Sequence, residues 1–331
     1  MFSKARLKFD DIFENRLEHT EVKEYLIELY NRGETADEIA AAATAMREHL
    51  LPLNVDVSLQ KNLLDNCGTG RDKSNSFNIS TTVSILLSAC GCKIAKHGNR
   101  SITSNSGSAD MLEELGVNLS LTTQKQLEML KQTGFVFMFA INHHPAMKHI
   151  MPIRKSIEHR TIFNILGPLS NPAFVQKQLI GVFDKSYVFK IANALTQLET
   201  KRAMVVSSED GMDEISISDV THCAFIEKDN IHEFILDPRE YGFELHPKIE
   251  IEGGTAKENA LITEGILNGT IIGAKKDIVL LNTAAALLVD DKVDTIEEGI
   301  DMALKNIENG NAIKKLEEIV LVSNELIHSK H

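Results

Sequence analysis

Apolar positions in the first 60 residues recur at helical spacing. Val22, Tyr25, Leu26 and Leu29 fall at i, i+3, i+4 and i+7, one stripe of an amphipathic helix, and Gly33 offers a C-terminal cap. Thr35 and Glu38 have capping-box spacing, after which Ile39, Ala43, Met46 and Leu50 predict a buried face that Pro52 closes. From residue 63 the rhythm changes to short apolar runs delivered into glycine. Residues 63–70 read as a strand entering a Gly-rich loop, 79–92 as a helix ending at Gly91, and 93–96 as a strand leading to a loop at 97–100. A helix follows at 108–115, closed by Gly116. Thr123 and Gln126 predict a second capping box, opening a helix that stops at Gly134, and 135–140 read as a buried strand. Further strands at 180–183 and 203–207 and a core helix at 277–289 keep the alternation going. The predicted architecture is α/β, a central sheet with helices on both faces, preceded by a small helical region.

Composition narrows the class. Of 331 residues, 43% are hydrophobic and 25% charged, ordinary globular usage with enough apolar mass for a large core. The longest apolar run, 135–141, is far below the roughly 20 residues of a membrane span. The N-terminus carries charges with no following apolar segment, so a cytoplasmic protein is expected. Against 35 Lys and Arg stand 47 Asp and Glu, a net charge of −12, which argues against nucleic acid as a partner. Cys67, Cys90, Cys92 and Cys223 form no zinc-type spacing and are expected to be reduced and unmetallated.

Candidate chemistry gathers in polar loops at the ends of apolar runs, where open α/β sheets place their ligands. At 68–72 and 76–82, glycines admit a ligand to the main chain and hydroxyls precede a helix start, a combination suited to an anion. At 96–104 and 106–110, Lys96 and Arg100 with a glycine and several hydroxyls form a charge-assisted cradle for phosphate oxygens. At 143–164, Lys148, Arg154, Lys155 and Arg160 face only Glu158, a local positive patch fit for a small acid. Asp213 and Glu214 follow the apolar run 203–206, and carboxylates beside a phosphate site suit Mg²⁺. Taken singly, each of these is equally a solvated turn or a set of helix-end charges.

Together they form a pattern. GTGRD at 68–72, NIST at 78–81, KHGNRSITS at 96–104, GSAD at 107–110, HPAMK at 144–148, RTIFNILGPLSNPA at 160–173 and DGMDEI at 210–215 resemble, in order, the motifs of the anthranilate phosphoribosyltransferases. That family joins anthranilate to 5-phosphoribosyl 1-diphosphate and releases diphosphate in tryptophan biosynthesis. The resemblance covers the whole chain. It implies a small all-helical N-terminal domain (1–60, completed by about 158–176) and a large α/β domain (61–157 and 177–331), usually in a homodimer through the helical domains. It implies that Gly68, Arg71, Asp72, Ser76, Asn78, Ile79, Ser80, Thr81, Lys96, His97, Gly98, Asn99, Arg100, Ser101, Ile102, Thr103, Ser104 and Ser108 hold the phosphoribosyl diphosphate. Gly68, Asn99, His144 and Arg154 would receive anthranilate. Two Mg²⁺ ions per site are implied, with Ser80, Asp213 and Glu214 as ligands, and Lys96, Asn99 and Arg154 as the residues acting on the reaction.

Three positions depart from the family pattern. Arg71 replaces a glycine of GTGGD, Ser156-Ile-Glu-His159 replaces a segment with a Leu-Gly pair, and Ser76 stands where Thr is common. No general base is evident, although His97 and His144 are candidates. Two rival readings are weaker. A nucleoside phosphorylase of the same architecture lacks the KHGNR and RTIFN patterns, and a nucleic-acid-binding relative needs a basic groove that a net charge of −12 does not offer.

Overall fold

A computed structural model describes residues 1–70, 72, 74–100, 106–228 and 230–329. The chain opens with α1 (Phe2–Phe13), α2 (His19–Arg32) and α3 (Ala36–Glu48), then a short α4 (Val57–Gln60). Gly33 ends α2 at φ +79°, and Thr35 and Glu38 exchange both bonds of the expected capping box. Four consecutive fully buried alanines, Ala40 to Ala43, let neighbouring helices approach α3 closely.

The sheet begins with β1 (Leu63–Gly68), α5 (Ile79–Ala89), β2 (Lys93–Gly98), α6 (Ser108–Glu114), α7 (Thr123–Thr133) and β3 (Phe135–Phe139). Helices α8 (Ala140–His143), α9 (Met147–Lys155) and α10 (Phe163–Leu169) follow, and α9 and α10 pack against α1 to α3. The chain returns through β4 (Lys177–Gly181), α11 (Val188–Gln197), β5 (Arg202–Ser208) and the antiparallel hairpin β6 (Thr221–Glu227) and β7 (Asn230–Leu236). It finishes with α12 (Ala256–Leu267), α13 (Ala274–Val289), α14 (Ile296–Glu308) and α15 (Asn311–His328).

Two boundaries differ from expectation for identifiable reasons. Helix α7 is capped by Thr122, whose hydroxyl accepts from Lys125 N–H, so the first of two adjacent threonines takes the role assigned to Thr123. Strand β4 starts at Lys177, three residues before the apolar run, because its ladder pairs Lys177 with Leu64 on one side and Arg202 on the other. Backbone pairing does not require an apolar side chain, and the run marks only the most buried half.

Side chains alternate across the sheet as the two-residue period of a strand demands. Leu64, Ile94, Leu179 and Met204 point into a core shared with α5, α6 and α12 to α15. Their neighbours Ile180, Ala203 and Val205 point the other way, into a core shared with α1 to α3 and α9 to α11. Each fully buried Leu or Ile contributes about 1.5–3 kcal/mol. No helix among the described residues is long and apolar enough to cross a membrane.

Strand order is β3-β2-β1-β4-β5-β6-β7, with β1 to β5 parallel. After β1 the chain moves outward to β2 and β3, then returns to lay β4 on the other flank of β1. The β1/β4 boundary is thus a switch point, where helices on opposite faces leave a crevice at the carboxyl ends of the strands.

Candidate active site

That crevice is a cleft of about 1110 Å³. Gly68 ends β1 and Gly181 ends β4, side by side in the ladder. A Cβ on either glycine would overlap Asp213, striking its carboxylate from Gly68 and its backbone carbonyl from Gly181. The paired glycines therefore admit Asp213 directly over the switch point, where Gly70 N–H donates to its Oδ2 at 2.6 Å. Burial, then the charge of Asp72, pushes the Asp213 carboxyl upward. Burial and the adjacent Asp213 do the same to Glu214, with Lys96 opposing them.

Lys96, on β2, is 1% exposed, with Nζ donating to Asn66 O at 2.7 Å and to Ser80 Oγ at 3.3 Å. Burial lowers its pKa, while Asp65, Cys67 and Glu214 raise it. Asn66 also donates to Ser80 O at 2.8 Å, so the first turn of α5 is pinned to β1 and β2 at two points. The described part of both phosphate loops converges here: Gly68, Asp72, Ser76, Asn78, Ile79, Ser80, Lys96, His97, Gly98, Asn99, Ser108, Asp213 and Glu214 all line the cleft. Arg71, Ser101, Ile102, Thr103 and Ser104 lie outside the described residues.

Four other expected residues are not brought to the lining. Thr81 is fully buried behind it, and its hydroxyl has no hydrogen-bond partner among the described residues. Arg100 turns outward to Asp110 and Glu113, at 2.9 and 2.6 Å. Arg154, on α9, lies over the ring of Phe163 at 5.6 Å, and Lys148 is exposed on the same helix. His144 sits behind His97, the two Nε2 atoms 3.2 Å apart.

This last contact bears on the search for a base. His97 Nδ1–H donates to Gly167 O at 3.1 Å, and its Nε2 faces His144 Nε2. Both nitrogens of His97 are thereby engaged within the protein. Burial, then His144, depresses its pKa to about 3, and burial, then His143, brings His144 to about 4, so both rings are neutral at pH 7. They orient the cleft wall rather than collect protons.

The opposite wall is aromatic. Tyr30 stacks on His159 at 3.8 Å with 16° between planes, the Arg160 guanidinium lies 3.6 Å from the centre of Phe183, and Tyr187 donates to Glu34 at 2.7 Å. Its members come from α2, the segment before α10 and the connection from β4 to α11; Arg160 heads the motif at 160–173 and belongs to the positive patch at 143–164, whereas no local motif marks Tyr30, Phe183 or Tyr187. The Gly253-Gly254 pair and Asn259 complete the lining beside Asn78. A sequence signal exists for these: two glycines directly before the Thr255–Glu258 capping box of α12.

Comparisons with known proteins agree with this geometry. The helical bundle domain of a glycosyl transferase family matches residues 3–50, and its a/b domain matches 60–313. The anthranilate phosphoribosyltransferase of Petrotoga mobilis is 44% identical over 313 residues, 95% of this chain and 90% of its own length. The crystal structure of anthranilate phosphoribosyltransferase from Thermus thermophilus is similar with a TM-score of 0.92 at 34% identity, covering 98% of this chain and 96% of that one. The Saccharomyces cerevisiae enzyme, solved in complex with PRPP and Mg, gives 0.84 at 31% identity over 93% and 86% of the two chains. Sequence, fold and cleft together assign the chain to the anthranilate phosphoribosyltransferases, within that glycosyl transferase family.

Proposed function

We propose that the cleft transfers the phosphoribosyl group of 5-phosphoribosyl 1-diphosphate (PRPP) to the amine of anthranilate, releasing diphosphate. The observation that supports this most is the wedging of Asp213 between Gly68 and Gly181, beside Glu214 and the first turn of α5. In this reading Gly68, Asp72, Ser76, the turn 78–80 and the loop 96–99 hold the diphosphate and ribose. Ser80, Asp213 and Glu214 would hold Mg²⁺, two ions per site, and the donor set fits. The described lining carries five carboxylates, Asp72, Glu158, Asp184, Asp213 and Glu214, against Lys96 and Arg160, so an anionic ligand calls for added positive charge. Among the described residues no group of three or more His, Cys, Asp or Glu forms a metal cage, which suits an ion that completes its shell with phosphate oxygens and water. When bound, the ion neutralises the diphosphate and improves it as a leaving group.

The protein's own part is positioning and electrostatics. Lys96 spends two donors on Asn66 and Ser80 and so braces the first turn of α5 beside the donor loop. The amine attacks C1 as the bond to diphosphate breaks, with inversion, and its proton passes to water. Asn99 aligns the acceptor, and Arg154 or Arg160 takes its carboxylate through a planar fork. We also read the chain as the two domains named above, joined in a cytoplasmic homodimer through the helical one.

Loss of anthranilate fluorescence with PRPP, with and without Mg²⁺, tests the reading. Turnover should require the metal and fall at least about a hundredfold in Asp213→Asn, and either Arg154→Ala or Arg160→Ala should raise KM for anthranilate. Metal-independent turnover would overturn the metal assignment, and two unaffected arginine variants would overturn the acceptor site.

A further inference from the structure

Glu34 lies in the turn that joins α2 to α3 and is 3% exposed. A carboxylate leaves water at a large cost unless a donor meets it. Here the donor comes from the start of α11: Tyr187 OH donates to Glu34 Oε2 at 2.7 Å, a charge-assisted bond across 153 residues of sequence. Burial, then Glu34, pushes the Tyr187 phenol up, so the phenol keeps the proton that makes the bond. Lys190, in the first turn of α11, lies 5.1 Å from the centre of the same ring and adds a positive charge beside it.

Tyr187 lines the cleft, whereas Glu34 stands behind it. The Tyr187 ring meets that of Phe183 with centres 5.3 Å apart and 54° between planes, and Phe183 carries the Arg160 guanidinium 3.6 Å from its own centre. The main chain of Phe183 is fixed from the other side, where its N–H donates to Thr69 Oγ1 at 3.2 Å. What Tyr187 can adjust is therefore the Phe183 ring and not its backbone. A tyrosine ring turns about two side-chain torsions, and a bond at its far end removes that freedom. Glu34, Tyr187, Phe183 and Arg160 thus form one continuous chain of contacts from the α2–α3 turn to the acceptor half of the cleft.

We propose that Glu34 is a positioning residue for the acceptor: by tying down the Tyr187 phenol it holds the Tyr187 and Phe183 rings in one arrangement, and so sets where Arg160 presents its guanidinium to the acceptor's carboxylate. This rests on reading the cleft as the place where an aromatic acid meets PRPP. A planar guanidinium grips both carboxylate oxygens only when its plane is aimed, and the ring beneath it does the aiming. Glu34 acts on the acceptor without touching it.

The test is steady-state kinetics on wild type, Glu34→Ala, Glu34→Gln, Tyr187→Phe, Arg160→Ala and the Glu34→Ala/Arg160→Ala double variant, each with a thermal melt. Tyr187→Phe keeps both rings and removes only the donor, so the proposal stays testable if Glu34→Ala does not fold. Glu34→Ala and Tyr187→Phe should each raise KM for anthranilate about fivefold, the worth of one hydrogen bond, and leave KM for PRPP within about twofold. Glu34→Gln, which still accepts from the phenol, should recover most of that loss. Glu34→Ala should add nothing in the Arg160→Ala background, because the two act as one unit. An unchanged KM for anthranilate in folded Tyr187→Phe, a matching rise for PRPP, or losses that multiply in the double variant would overturn the proposal. A wild type that binds anthranilate without consuming it would sink the reaction and not this residue, because a fluorescence titration of anthranilate on the same variants still decides Glu34. A wild type that does not bind anthranilate overturns the reading of the cleft, and the proposal with it.

Discussion

At the floor of the cleft, Asp213 rests against the main chain of two adjacent strands, whereas on the outer wall Tyr30 stacks on His159 and Arg160 lies over Phe183, side chain on side chain. The floor is built from strand ends and a helix start whose backbones are fixed by the ladder. The wall is assembled from helices and connecting segments. A substitution in the floor therefore displaces backbone, and one in the wall displaces a ring. On the function proposed above, the floor would serve the phosphoribosyl donor and the wall the aromatic acceptor.

Three experiments sharpen that contrast. Gly181→Ala is the most severe, because the added Cβ would collide with the Asp213 carbonyl and neither partner is a flexible side-chain end. It should lower unfolding free energy by at least about 3 kcal/mol in urea and abolish turnover. Full stability in that variant would mean the floor is softer than its geometry implies.

The His97 and His144 pair joins the floor to α10, and acid should expose its cost. Folded His97 has a pKa depressed from 6.5 to about 3, so as pH falls below 6.5 the unfolded chain binds the proton and the folded chain does not. Stability from this group is complete above pH 6.5 and is lost as pH falls toward 3. Between pH 7 and 5, wild type should lose about 2 kcal/mol more than folded His97→Asn. Parallel urea midpoints in the two proteins would show that His97 is not buried as a neutral ring.

The mildest effect belongs to the wall. Tyr30→Ala removes a stacked contact with His159 worth about 1 kcal/mol, and should raise KM for anthranilate severalfold with KM for PRPP unchanged. A matching rise for PRPP would place Tyr30 with the floor.

The same division decides what the sequence reveals. Floor residues announce themselves because a glycine pair, a run of hydroxyls and a helix start must be contiguous to form an anion loop, and the described members of 68–80 and 96–99 reach the cleft almost without exception. Thr81 belongs to the same motif, yet the turn of α5 carries it inward, since one residue along a helix rotates a side chain by about 100°. Arg100 shows the opposite limit. It has the right charge in the right loop, but Asp110 and Glu113, both on α6, claim it. In the wall only Arg160 leaves a local trace, at the head of the motif at 160–173, whereas Tyr30 and His159 are brought together only by packing. Fold elements are more evenly legible, as at the Thr35 capping box and the Gly33 stop, since caps and periods are local by nature.

Gly68 and Gly181 adjoin in the ladder but lie more than a hundred residues apart in the chain. Contacts of such separation close a long loop and slow the search for the native state. The turn of α5 can form early from its own sequence, yet it has no partner for its chemistry until β4 docks beside β1 and Asp213 settles between them. During synthesis or refolding the ability to grip a diphosphate therefore arrives late and all at once, and a nascent chain that stops short of β5 carries the visible loops without the site.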